Sequence, residues 1–150
     1  MFAIYTLIWL FALFALIIIV RVTSNLWFHF RVRRKCRIST KSGIKVQSHG
    51  ERRIADWLFD NGYSFIYDRP IYGFIFDGYR PDFRIRRGNE PDTIIEYWGQ
   101  MHDPKYCRKR DKKEKYYREN GFNLISIEPG QEIEGLLWLF LGKIKPKGDN

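Results

Sequence analysis

The run Phe2–Val20 carries no charged side chain, and its hydroxyls are only those of Tyr5 and Thr6. At about 1.5 Å rise per residue a helix over it reaches roughly 28 Å, close to the roughly 30 Å hydrocarbon thickness of a bilayer. A helix in a soluble core needs apolar residues along one stripe, not on every face. The run therefore predicts a transmembrane anchor over residues 1–22. A cleaved signal peptide is the competing expectation, but no basic residue precedes the run and no small-x-small cleavage pattern follows it. Arg21, Arg31, Arg33, Arg34, Lys35, Arg37 and Lys41 all lie after the run. The positive-inside rule then places the rest of the chain in the cytoplasm. Trp27, Phe28 and Phe30 interleave with those bases, which suits a segment at headgroup level beside anionic lipid. The expectation is a single-pass membrane protein.

Beyond the anchor, the remainder of the 150 residues is enough for one modest core. With 12 Phe, 9 Tyr and 5 Trp that core has ample surface to bury. The net charge of +9 fits a polyanionic partner, but the juxtamembrane bases contribute much of it, so charge alone does not choose between DNA and lipid. Cys36 and Cys107 form no CxxC pair, which argues against a disulfide framework or structural zinc. His29, His49 and His102 are isolated, which argues against a histidine metal cluster or a Ser/His/Asp triad. Any chemistry must come from carboxylates and lysines.

Residues 23–43 read as a basic juxtamembrane linker, with linker-like Ser, Gly and Lys content continuing from Ser39 to Gly50. A domain is expected over 44–142, and a basic tail over 143–150. Ser48-His49-Gly50-Glu51 before Ile54, Ala55 and Leu58 predicts a capping box and an amphipathic helix ending near Asn61-Gly62, with Glu51 on its inward face. Short aromatic and β-branched segments at Ser64–Asp68, Tyr72–Phe76, Asp82–Arg86 and Thr93–Trp98 predict strands, the last two joined by a turn at Arg87-Gly88-Asn89. Asp103-Pro104 opens a second helix that Gly121 stops. Asn123–Ile127 predicts a further strand, and Ile133, Leu136, Leu137 and Phe140 the inner face of a closing helix. The fold class is mixed α/β.

A phosphodiester resists hydrolysis because water is a poor nucleophile and the leaving oxygen carries charge. Mg²⁺ answers both difficulties and prefers carboxylate oxygens, so two or three acids converging from separate elements, plus a lysine, are the required set. The segments Gly50-Glu51-Arg52-Arg53-Ile54-Ala55, Arg80-Pro81-Asp82-Phe83, Ile94-Ile95-Glu96-Tyr97-Trp98-Gly99 and Tyr106 through Tyr117 resemble the PD-(D/E)XK nuclease superfamily. The resemblance covers roughly residues 44–130 and is nearest to very-short-patch-repair-like and helicase-attached nuclease modules. It implies a restriction-endonuclease-like αβββαβ core, Asp82 and Glu96 as metal-binding acids, and Glu51 assisting them. It also implies Mg²⁺ as cofactor with Mn²⁺ as an alternative ion, DNA as substrate, and a homodimer for double-strand cutting.

Two residues beyond Glu96, where the family's main pattern has lysine, this chain has Trp98. The amine is then expected from the following helix, where Tyr106, Arg110, Lys113 and Tyr117 share a face; Lys113 is the first candidate and Lys112 the alternative. Gln100 also stands near, though a glutamine after glycine suits a turn. The same helix carries Lys105, Arg108, Lys109, Arg110, Lys112 and Lys115, opposed by Asp111 and Glu114. Of these, Arg108, Lys109, Arg110 and Lys112 are the expected nucleic-acid contacts, against the plainer expectation of a solvated helix face. The rival class is a catalytically inactive scaffold of the same fold that binds nucleic acid, anionic lipid or a protein partner at the membrane. Strandedness, and DNA against RNA, are open, since no base-reading motif occurs.

Overall fold

The structure is a computed structural model that describes residues 2–33, 36–71 and 79–142. Helix α1 is continuous over Phe2–Arg33. Within it Ile4–Ser24 spans 21 residues, none buried against protein, which is long and apolar enough to cross a bilayer. The helix runs past the expected anchor end at residue 22, and the next hydroxyls are satisfied inside it. Thr23 donates to the Ile19 carbonyl at 2.9 Å and Ser24 to that of Arg21 at 3.0 Å.

Strands β1 (Ile38–Ser39) and β2 (Lys45–Val46) form a short antiparallel hairpin in the stretch whose composition reads as linker. Its Ser, Gly and Lys residues build the turn: Gly43 adopts φ 82°, and the Thr40 hydroxyl donates to the Ile44 carbonyl at 2.9 Å. Val46 is fully buried, so the hairpin belongs to the folded core. Helix α2 (His49–Asp60) starts at N-cap Ser48, whose hydroxyl accepts the Glu51 N–H, and turns Ile54, Ala55 and Leu58 inward. It stops where Gly62 takes φ 73° and the Tyr63 N–H closes on the Leu58 carbonyl at 2.9 Å.

Four strands make a mixed sheet in the order β3 (Ile66–Tyr67), β4 (Phe83–Arg87), β5 (Glu90–Tyr97) and β6 (Asn123–Ile127). The first three are antiparallel neighbours and β6 runs parallel to β5. Between β5 and β6 the chain crosses through α3 (Pro104–Glu119), capped by Asp103, which accepts the Lys105 N–H at 2.8 Å. Helix α4 (Ile133–Leu141) closes the domain. The segment Tyr72–Phe76 and the tail 143–150 lie outside the described residues.

Pleating assigns each strand residue to a layer. Phe83, Ile85, Ile95, Ile125 and Ile127 join Ile54, Leu58 and Leu137 in the larger core, so α2 and α4 cover that face. Ile94 packs with Ile71 and Tyr117 under α3 on the other. On α4 the inner row is Ile133, Leu137 and Leu141, one turn apart; Leu136 is half-buried and Phe140, expected inside, is 57% exposed. Three layers result, with the mixed sheet in the middle.

Candidate active site

Glu96 shares the pleat parity of Ile94 and therefore points to the α3 side. The β4–β5 register pairs Phe83 with Ile95, and one more step along it sets Asp82 across from Glu96. Two like charges directly opposite on one face are unfavourable unless a cation joins them. Lys113 of α3 supplies a cation on the Glu96 side: its ammonium lies 2.8 Å from Glu96 Oε1 and 2.9 Å from Oε2, and donates to the Arg80 carbonyl at 2.7 Å, while Asp82 feels its charge without being ion-paired to it. The Tyr117 hydroxyl donates to Glu96 Oε1 at 2.7 Å. Glu96 is 1% exposed, so a partnered carboxylate is the only tolerable form of an ionised side chain there.

Asp82 follows the buried Pro81 and accepts the Tyr97 N–H at 2.8 Å through Oδ2. Glu51 arrives from α2. Its Oε1 accepts the Ser48 hydroxyl at 2.8 Å, and its Oε2 accepts the Gln47 N–H at 3.0 Å and the Tyr67 hydroxyl at 2.6 Å. The helix end comes so close to β5 that a Cβ on Gly50 would run into the Tyr97 ring, which explains the glycine before Glu51.

The three acids and Lys113 line one cavity of about 490 Å³, with Ser48, Gln100, Tyr106, Lys109 and Arg110 around them. Burial pushes the Asp82 carboxyl well above the usual range, and the charges of Glu96 and Glu51 push the same way. Burial also raises Glu96, partly offset by the Lys113 ammonium and the Tyr117 hydroxyl. Tyr106 is pushed up to about 12 by burial and then by the charges of Asp82, Glu96 and Glu51. Burial, followed by the Glu51 hydrogen bond, raises Tyr67, and burial followed by the Glu96 charge raises Tyr117. The three acids share the cavity with the positive charges of Lys109, Arg110 and Lys113.

Trp98 fills the position where the resemblance calls for lysine, and packing gives the reason. Its indole N–H donates to the Ser126 hydroxyl at 2.7 Å, its ring meets Tyr106 edge-on at 6.1 Å, and Lys113 lies 5.6 Å from its centroid. The tryptophan is a wall of the site, and the amine enters from α3. Lys112 is exposed and does not line the cavity. Among the expected nucleic-acid contacts, Lys109 and Arg110 reach the cavity while Arg108 and Lys112 stay outside. Arg110 is engaged by Glu128 at 2.8 Å and Asp111 at 3.0 Å. Lys105, Arg108, Lys109 and Lys112, spaced i, i+3, i+4 and i+7, form an exposed stripe. None of the four has an acidic partner among the described residues.

Tyr67 and Ser48 hold Glu51 and were not singled out as site residues by sequence. Ser48 was visible only as a cap, and nothing near Tyr67 marked it. A divalent cation would need hard oxygen donors, and carboxylates are what the cavity offers. Among the described residues no three His, Cys, Asp or Glu side chains stand close enough to form a ready-made metal cluster.

No protein-family model matches the chain, and no solved structure matches it. The chain is similar to an uncharacterized protein of Methanocaldococcus jannaschii, 35% identical over 94 residues. Those residues cover 61% of this chain and 8% of that protein, so the chain spans a small part of the relative it matches.

Proposed function

We propose that this chain is a membrane-anchored, metal-dependent nuclease of the PD-(D/E)XK class that hydrolyses DNA phosphodiester bonds. The observation that carries the proposal is the meeting in one cavity of Glu51 from α2, Asp82 from the turn into β4, Glu96 from β5 and Lys113 from α3. The order α2, β3, β4, β5, α3, β6 also supports an αβββαβ core of that class. Position 98 is consistent with it too, since Lys113 supplies from α3 the amine that a strand lysine would otherwise bring.

Asp82 and Glu96 are the residues that would hold Mg²⁺ or Mn²⁺, with Glu51 beside them, and a bound cation would offset the burial that raises both carboxyls. Bound there, the ion would polarise a phosphoryl oxygen and make a nearby water a better nucleophile. Lys113 holds positive charge against Glu96 on the cavity wall, where it would offset charge building up on a phosphate. Tyr117 and Tyr97 fix the carboxylates of Glu96 and Asp82. The stripe Lys105, Arg108, Lys109 and Lys112 is suited to following a nucleic-acid backbone into the cavity. The anchor and the bases after it support a position for this domain on the cytoplasmic membrane face.

One observation favours a second reading, a catalytically silent scaffold binding nucleic acid, anionic lipid or a protein: both oxygens of Glu96 are already taken by Lys113 and Tyr117. The test is cleavage of plasmid and single-stranded DNA by the full chain in detergent with Mg²⁺, Mn²⁺ or EDTA, beside Asp82→Asn and Glu96→Gln. Metal-dependent cleavage lost in both variants supports the nuclease. A folded wild-type protein that binds DNA without cutting it supports the scaffold.

A further inference from the structure

A second cavity, of about 560 Å³, lies outside the candidate active site and is large enough for a small-molecule ligand. Half-buried Ile44, Phe65 and Ile66 give it apolar walls, and exposed Lys45 and Arg69 stand at its rim. Neither cation has a carboxylate partner among the described residues. The acid on the lining, Asp68, is taken by Arg80 at 3.0 Å. Apolar walls beside two uncommitted cations fit an anion that carries an apolar body.

The position of the cavity narrows that class. Cys36 also lines it, and α1 ends at Arg33, about 14 Å along the helix from Ser24 where the membrane-length stretch closes; at roughly 3.5 Å per residue no more than about 10 Å of chain separates Arg33 from Cys36, so the chain can turn the cavity back toward the headgroups. Arg31, Arg33, Arg34, Lys35 and Arg37 surround this junction in sequence. Such a cluster attracts anionic headgroups to the membrane face. A soluble anion would have no use for Phe65 and Ile66, and a zwitterionic lipid would bring its own ammonium beside the two cations, where an anionic lipid brings none.

We infer that this cavity binds the head and upper chains of an anionic phospholipid drawn from the bilayer that α1 crosses, with its phosphate on Lys45 and Arg69. The inference rests on α1 as a membrane anchor and is independent of the nuclease proposal.

Cys36 provides the test, because an occupant shields its thiol. In the full chain with Cys107→Ala, solubilised in a non-ionic detergent, the rate of Cys36 alkylation by a water-soluble maleimide is followed as phosphatidylglycerol, phosphatidylcholine of the same chains, or inorganic phosphate is added. Phosphatidylglycerol is expected to slow alkylation severalfold while the other two leave it unchanged. Lys45→Gln with Arg69→Gln is expected to abolish the protection, and Lys45→Arg with Arg69→Lys to keep it, with circular dichroism showing all variants folded. Equal protection by phosphatidylcholine would overturn the role of charge, and protection by phosphate alone would overturn the role of the apolar walls. Absence of protection in folded wild-type protein, or its survival in the glutamine pair, would overturn the site.

Discussion

Glu96 and Glu51 line the same cavity and are both buried, 1% and 8% exposed, yet the protein holds them in different ways. Glu96 sits mid-sheet under α3 and is neutralised by an ammonium at 2.8 Å. Glu51 sits in the first turn of α2 and has no cation among the described residues: its partners are a hydroxyl from Ser48, one from Tyr67 and the Gln47 N–H. The helix end supplies the difference, because unpaired N–H groups and the N-terminal dipole favour a negative charge there without an ion. A strand offers no such field, so the acid on β5 needs a formal charge. One carboxylate is tied to a group that a metal could displace; the other belongs to the local scaffold.

That contrast can be broken experimentally. The largest effect is expected from Lys113→Met, which leaves Glu96 buried with no counter-charge; chemical denaturation should show a loss of about 3–5 kcal/mol. Adding Glu96→Gln should recover part of it, and failure to recover would mean that Lys113 acts by packing against Trp98. Next comes Tyr67→Phe, which removes one charged hydrogen bond from Glu51 and should cost about 1.5–3 kcal/mol. A cost equal to that of Lys113→Met would erase the distinction between the two acids. Ser48→Ala, which removes the cap and one donor to Glu51 together, should cost about 2 kcal/mol, the upper end of what a lost cap costs.

The smallest effect sharpens the comparison by its sign. Asp82 and Glu96 have folded pKa values raised above the usual carboxylate range, so between the unfolded and folded values the native state holds more protons than the unfolded one. Stability without metal is then greatest below the ordinary carboxylate pKa and falls as pH rises through the raised values. Asp82→Asn should flatten that fall and stabilise the metal-free protein at neutral pH by about 1 kcal/mol or less. Added Mg²⁺ should raise the melting temperature of wild-type protein at neutral pH and leave Asp82→Asn unmoved. The reverse pH slope in thermal melts would contradict the shared burial of the two acids.

Where a structural rule is local, the sequence showed it. Ser48 and Asp103 cap their helices, Gly62 and Gly121 end them, and the Gly88 turn joins β4 to β5, all from signals a few residues long. The hairpin at 38–46 was hidden because its strands have two residues each, too short for alternation to register. Phe140 was misplaced because in a mostly apolar helix the period does not reveal which row meets α2. Within the site, the candidate acids were visible through motif and strand position, whereas Tyr67 carried no mark at all.

The sequence by itself determined the membrane-length helix, the mixed α/β character and the short set of acids and lysines from which a site could be built. Those depend on composition and on contacts within a turn or two of chain. The tertiary structure alone decided that Lys113, and not Lys112, reaches Glu96, and that Trp98 serves as a wall. It also decided that Glu51 is held without a cation, and that Lys45 and Arg69 flank a cavity beside the end of α1. Each of these is a meeting of side chains from elements far apart in sequence, fixed by sheet register and by which helix face lies on the sheet, and the spacing of residues along the chain contains neither.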